Sequence, residues 1–197
     1  MSIDALIPAV SVPEGISGPW SVKRIVVSDE DAKFENLRAC FGSGRPIRPG
    51  TYTRLSRGGT TVMSDVPAEK RDHVAFVRAA RGDVLINGLG LGMVLQAVLL
   101  KPEVLSVTVV EKSADVIALV GDVYRSDPRL TIVEADAYTF QPPKGVRYGA
   151  VWHDIWDDIC ADNLKGMARL HRKYGRRTDW QGSWAKEICQ YQRQRGR

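Results

Sequence analysis

The pattern of apolar positions changes character near residue 83. Ahead of it the stretches are short: Val22 to Val27 reads as a strand, and Thr51 to Leu55 and Thr60 to Met63 read as two more, joined through Ser56 to Gly59 as a hairpin. Beyond it, compact apolar runs suited to strands buried on both faces recur at Val84 to Ile86, Ser106 to Val110, Leu130 to Val133 and Gly149 to Trp152. Helical spacing fills the first two intervals, over Met93 to Leu100 and over Ala114 to Tyr124, where Val116, Ile117, Leu119, Val120 and Val123 make a broad apolar face. This alternation predicts a Rossmann-like α/β domain with a mostly parallel sheet and right-handed crossovers, in which ligands bind just past the carboxyl ends of the strands.

Around that core the pattern is less regular. Met1 to Trp20 holds three prolines and no sustained period, and reads as an extended arm. Ser28-Asp29-Glu30 opens a helix by capping and dipole complementarity, with its end expected near Phe41-Gly42. A second helix begins after Ser64, with Asp65 expected as its cap and Pro67 in its first turn; His73, Phe76 and Val77 share a face, so His73 reads as a packed helix residue. After the fourth core strand no fifth is expected. Ala161 to Tyr174 forms an amphipathic helix ended by Gly175, and a further helix from about Asp179 to Gln192 places Trp180, Trp184 and Ile188 four residues apart, a stripe suited to covering a sheet edge or face. The expected division is an N-terminal arm and small β/α segment over 1–82, a core over 83–158, and C-terminal helices over 159–197 packing on it as one globular unit.

Composition changes this picture little. With 197 residues, 44% hydrophobic and 26% charged, the chain suits one soluble domain, and its longest apolar runs are too short to cross a bilayer. Lacking a basic segment followed by an apolar signal core at its start, it is expected to be cytoplasmic. Cys40, Cys160 and Cys189 are far apart, without metal-ligand spacing, and are expected to be reduced, buried and structural. The net charge of +5 is uneven: residues 165–197 hold ten Lys and Arg against two acids. A basic stretch interleaved with tryptophans admits a nucleic-acid platform, but a solvated helix end and packing are favoured.

The chemistry concentrates on Asp83 to Met93, DVLINGLGLGM, an apolar strand running into glycines at every second position. A tight turn of this kind brings backbone N–H groups towards a ligand, and the missing side chains let it approach closely. The dinucleotide fingerprint G-x-G-x-x-G is not met, because Met93 stands where its third glycine would fall. The run Gly88-Leu89-Gly90-Leu91-Gly92 instead resembles the first motif of class I S-adenosylmethionine-dependent methyltransferases and of the related spermidine synthase-type aminopropyltransferases, here shortened at the C-terminus. The resemblance implies a site built from successive strand ends. Gly88, Leu89, Gly90 and Gly92 would lie near the amino-acid moiety of S-adenosylmethionine or S-adenosylhomocysteine. Glu111, beside Lys112, would accept from the ribose hydroxyls, a role that needs a carboxylate at the end of the neighbouring strand. Asp136 and Ala137, in Glu134-Ala135-Asp136-Ala137, resemble the pair that meets adenine, with Tyr138 alongside; a turn cap through Phe140 is the competing reading of Asp136.

After the fourth strand, His153-Asp154-Ile155-Trp156-Asp157-Asp158 falls where these enzymes place residues meeting the sulfonium centre and the acceptor. Asp154 and Asp157 resemble the D-x-x-D that holds a polyamine in aminopropyltransferases, although the proline that follows there is replaced by Asp158. Asp154, Asp157 and His153 are therefore the candidate catalytic groups, Asp154 also meeting the cofactor; a base is needed because a protonated amine cannot attack a sulfonium. The expected function is an S-adenosylmethionine-dependent methyltransferase of unassigned acceptor. The alternatives are an aminopropyltransferase using the decarboxylated cofactor and a non-catalytic binding module with a partner-binding basic C-terminus. The shortened fold also admits a homo-oligomer covering what later strands would cover.

Overall fold

The computed structural model describes residues 2–41 and 44–195; Met1, Gly42, Ser43, Gly196 and Arg197 lie outside it, among them one end of the helix terminus expected at Phe41-Gly42. The N-terminal third is a four-stranded antiparallel sheet in the order β1-β2-β3-β4, comprising β1 (Gly15–Ser17), β2 (Trp20–Val27), β3 (Gly50–Arg57) and β4 (Thr60–Ser64). The expected strands are all present, and β1 is added. A four-residue helix, α1 (Ile3–Leu6), precedes them, and α2 (Asp29–Cys40) follows β2. The start of α2 is as the sequence implies: the Ser28 hydroxyl accepts from Asp31 N–H and the Asp31 carboxylate accepts from Ser28 N–H, a capping box. The first twenty residues are not a free arm, since Ile7, Val10 and Val12 are buried in the main core.

Helix α3 (Pro67–Ala79) leads into the second sheet, and its cap corrects the expectation. Val66 occupies the cap position without a side-chain bond, whereas the Asp65 carboxylate accepts from Val10 N–H at 3.1 Å and Thr53 N–H at 2.6 Å. Asp65 thus ties the N-terminal segment to β3. The second sheet contains β5 (Gly82–Asn87), β6 (Val104–Glu111), β7 (Leu130–Glu134), β8 (Tyr148–His153) and β9 (Thr178–Ser183), in the order β7-β6-β5-β8-β9. Every neighbouring pair is parallel. Helices α4 (Met93–Leu99) and α5 (Ala114–Val120), the latter continued by a 3-10 turn over Gly121–Tyr124, fill the first two crossovers; α6 (Asn163–Tyr174) fills the last and α7 (Lys186–Arg195) ends the described chain.

Strand β9 is the main departure from the sequence reading, because residues 178–183 belong to the sheet and not to the start of the last helix. Trp180 therefore stands on a strand, with its indole stacked on Trp152 of the adjacent β8 at 6.2 Å between ring centroids. The main core includes Val84, Ile86, Val107, Val109 and Trp152 with α3 and α4 against them; on the opposite face Leu85, Tyr148 and Val151 pack with Leu170 and Tyr174 of α6. Among the described residues no helix is long and apolar enough to cross a membrane. Of the three cysteines only Cys189 is buried, Cys40 being exposed and Cys160 half-buried, which corrects the expectation for those two.

Candidate active site

The sheet order fixes where a ligand can sit. From β5 the chain runs outward through β6 and β7, then returns to the other side of β5 to lay down β8 and β9. At that reversal the connections leave in opposite directions, and a crevice opens past the strand ends between β5 and β8. A cavity of about 280 Å³ lies there. Gly88 and Gly90 follow β5, Glu111 ends β6 with Lys112 after it, Asp136, Ala137 and Tyr138 follow β7, and Asp154, Trp156 and Asp157 follow β8; all line it. Trp20, Leu55, Arg57 and Met63 of the antiparallel sheet and Glu69 of α3 close it from the N-terminal side.

Close packing explains the glycine turn. Gly88 has φ +96°, and a Cβ there would stand 1.8 Å from the Asp154 carbonyl oxygen; one on Gly90 would stand 2.7 Å from Met63 Sδ, and one on Gly92 2.7 Å from the Tyr124 ring. Gly92 consequently faces a neighbouring helix and does not line the cavity, and Leu89 is buried beneath it with 3% of its surface exposed. The turn's amides are largely engaged: Leu89 N–H donates to Glu111 Oε2 at 2.9 Å and Leu91 N–H to Met63 Sδ at 3.3 Å. Glu111 Oε1 accepts from Ser113 N–H, also at 2.9 Å. Each carboxylate oxygen keeps a further lone pair, so Glu111 is held rigidly at the cavity wall while able to accept again.

Asp136 both lines the cavity and caps its own turn, its Oδ1 accepting from Tyr138 N–H at 2.6 Å and its carbonyl from Thr139 and Phe140 N–H. The two readings of this residue are compatible. Lys173 of α6 braces the same turn by donating to the carbonyls of Ala137 at 3.0 Å, Tyr138 at 3.2 Å and Phe140. The Arg169 guanidinium lies 5.0 Å from the centroid of the Tyr138 ring. Part of the basic C-terminal charge thus has a structural task.

Asp154 is the most perturbed group in the cavity. Burial, then the nearby Glu69 carboxylate, push its pKa up to about 8, so at neutral pH it is mostly a neutral acid. Glu69 is raised as well, chiefly by burial, although it accepts from Ser64 N–H at 2.8 Å and Ser64 Oγ at 2.6 Å. His73 Nδ1 lies 4.0 Å from Asp154 Oδ2. Asp157 stands at the rim, its carboxylate 3.4 Å from Arg57 Nη1.

His153 does not reach this cavity. Successive strand side chains point to opposite faces, and His153 turns to the α6 side, where its Nδ1 is 2.8 Å from Asn87 Nδ2 and its ring is 5.4 Å from that of His171. It is fully buried, and burial, followed by His171, pushes its pKa down to about 3. It is a neutral packing group. The sequence reading missed Glu69, Met63 and Arg57, which come from elements ahead of the parallel sheet. The one available signal for Glu69 was an acidic residue in the first turn of a helix that runs directly into β5.

The cavity is acidic although the chain is basic: Glu69, Glu111, Asp136, Asp154 and Asp157 line it against Arg57 and Lys112. Such a lining favours a cationic or hydrogen-bond-donating ligand, with Trp20, Trp156 and Tyr138 offering apolar faces.

No protein-family model matches the chain, and no curated protein does. Among solved structures, the N-methyltransferase NodS from Bradyrhizobium japonicum WM9 is similar at 14% identity, over 64% of this chain and 74% of its own, with a TM-score of 0.49. The 23S rRNA methyltransferase ErmE is similar at 17% identity over 53% of this chain and 42% of its own, with a TM-score of 0.42. Spermidine synthase from Thermotoga maritima is similar at 18% identity over 74% of this chain and 46% of its own, with a TM-score of 0.42. The match spans less than half the length of the latter two. These are likenesses of arrangement and assign no activity.

Proposed function

We propose that the chain binds S-adenosylmethionine or its demethylated product and acts as a group transferase, methyl transfer being favoured. One observation carries the reading: Gly88 and Gly90, Glu111, Asp136-Ala137 and Asp154, spread over 67 residues of sequence, line a single cavity at the sheet's reversal point. On this reading Glu111 meets the ribose, Asp136 and Ala137 the adenine, and Gly88 and Gly90 the tail, within residues 83–158, while residues 1–82 and 159–197 close and brace the site. The residues fit a sulfonium cation, since the lining is acidic and Glu111 retains acceptor capacity. When bound, such a cofactor supplies a methyl group on positively charged sulfur. The protein's own contribution is to hold the acceptor in line with that methyl, to exclude water with Trp20 and Trp156, and to take the acceptor's proton at Asp154 once that carboxyl has given up its own.

Aminopropyl transfer is less well supported, because Asp157, one half of its expected carboxylate pair, faces Arg57. The test is incubation with labelled S-adenosylmethionine and with its decarboxylated form against pools of nucleic acid, protein and polyamines, with Asp154→Asn alongside. Methyl label entering one pool, and falling at least tenfold with Asp154→Asn, is the expected result. Transfer that Asp154→Asn leaves unchanged removes the assignment of Asp154, and cofactor binding without transfer to any pool favours the binding-module reading.

A further inference from the structure

Behind Asp154, two buried side chains have polar atoms without partners among the described residues. His73 is fully buried, and neither of its ring nitrogens has a hydrogen-bond partner; Trp152 is 3% exposed, and its Nε1 has none either. The two rings meet edge to face at 5.6 Å. Leaving a buried donor or acceptor unpaired is costly, and each such group calls for an explanation in strain, in chemistry or in an ordered water. The partner within reach is the Asp154 carboxyl, at 4.0 Å from His73 Nδ1 and itself on the cavity wall. That gap is too long for a hydrogen bond and short enough for a side-chain adjustment to close it.

We propose that His73 is the positioning residue for Asp154, taking the carboxyl proton on Nδ1 so that Asp154 faces the cavity as a carboxylate base. The step balances. The Asp154 O–H bond breaks with its electron pair left on oxygen, and an N–H bond forms on the imidazole. The neutral pair and the ion pair carry the same net charge, so the exchange brings no additional net charge into the interior. A proton later leaving the acceptor goes to the carboxylate so exposed. The proposal rests on the transferase reading for its purpose, though not for its test. Other groups bear on the pair: Glu69 on α3, in the preceding turn, and Glu111 at the end of β6 oppose ionisation of Asp154, the Trp152 indole favours it, and Asp72 favours a charged His73 that Arg45 opposes. Asp72 is itself clamped by Arg45 at 2.6 and 2.7 Å and by Trp184 Nε1 at 3.1 Å. Burial holds His73 neutral down to about pH 4 against the pull of Asp72, so its charging requires the 4.0 Å gap to the Asp154 carboxyl to close.

The test is a titration of the ligand-free full chain, observing the carboxyl carbons of labelled aspartate and the ring nitrogens of labelled histidine by NMR between pH 5 and 9. Asp154 and His73 should respond at one shared midpoint, with imidazolium character at His73 below it that His73→Gln abolishes while the Asp154 response persists. A His73 ring that stays neutral across the range while Asp154 titrates overturns the proposal, and the wild-type titration gives that answer even if His73→Gln does not fold. Once transfer is established, His73→Gln should lower kcat at least tenfold with KM for the cofactor within twofold. Equal loss in both would mark a purely structural role and equally overturn it. Absence of cofactor binding would defeat the transferase reading and leave the titration intact.

Discussion

The carbonyl oxygen of Asp154 occupies the space that a side chain on Gly88 would need, with a Cβ there standing 1.8 Å from it. The end of β5 and the end of β8 are pressed together, as the backbone bond from Asp154 N–H to Asn87 O at 2.8 Å also shows. Gly88→Ala must either push β8 aside or abandon φ +96°. It should cost roughly 3 kcal/mol or more in unfolding free energy. Gly145 has φ +81°, but a Cβ added there would meet nothing within 4 Å, so Gly145→Ala should cost only about 1 to 2 kcal/mol. Urea denaturation of both variants checks the ratio.

Asp154 makes stability depend on pH in a predictable direction. Its pKa in the folded protein is about 8 against an ordinary 3.8, so the unfolded chain gives up this proton first. Its contribution to stability is complete below the ordinary value and declines as pH rises towards 8, by about 1.4 kcal/mol per pH unit at most. Buried His153 and half-buried His171 are depressed to about 3 and 4, so their contributions are lost on the acid side, below 6.5. The window from pH 6.5 to 8 therefore reads Asp154 together with the His73 beside it. Across it, Asp154→Asn should gain stability relative to wild type as pH rises and then level off, which thermal melts at several pH values would register; a constant difference contradicts the assignment.

Lys173 braces the Asp136–Phe140 turn through three backbone carbonyls. Lys173→Met keeps the aliphatic stem and removes the donors, so it should destabilise by about 1 to 3 kcal/mol and loosen the wall formed by Asp136 and Ala137. Arg193→Met, on the last helix, changes the same charge without touching that turn. If the two variants bind ligand equally well, bracing is not the role of Lys173.

On the proposed reading, in which Glu111 meets the ribose, Glu111→Ala should weaken binding of S-adenosylhomocysteine by about 1 to 3 kcal/mol. It also frees the Leu89 and Ser113 amides, so the unfolding midpoint should fall as well. Calorimetric titration and a melt read the two effects separately.

How much of this was legible in the sequence depends on whether local pattern or distant packing sets each feature. The strands β5 to β8 announce themselves through β-branched runs, and the rule that ligands sit at strand ends then brings Gly88, Glu111, Asp136 and Asp154 into one cavity. Strand β9 does not, because Thr178-Asp179-Trp180-Gln181-Gly182-Ser183 lacks an apolar alternation and the spacing of Trp180 and Trp184 mimics a helix. It is made a strand by its pairing with β8 and by the stack of Trp180 on Trp152. His153 sits away from the cavity for a related reason: being at a strand end does not say which face a side chain takes, and one step along β8 turns it to the α6 side. Glu69 and Met63 were beyond strand-end logic altogether, since the packing of α3 and the docking of the N-terminal sheet bring them to the cavity.

Whether the cavity at the end of β5 is a site for S-adenosylmethionine is decided by calorimetry of the purified chain with S-adenosylhomocysteine and, separately, with NAD. S-adenosylhomocysteine should bind, Glu111→Ala should weaken it, and NAD should be much the poorer ligand. Binding of NAD with none of S-adenosylhomocysteine at millimolar concentration would contradict that assignment.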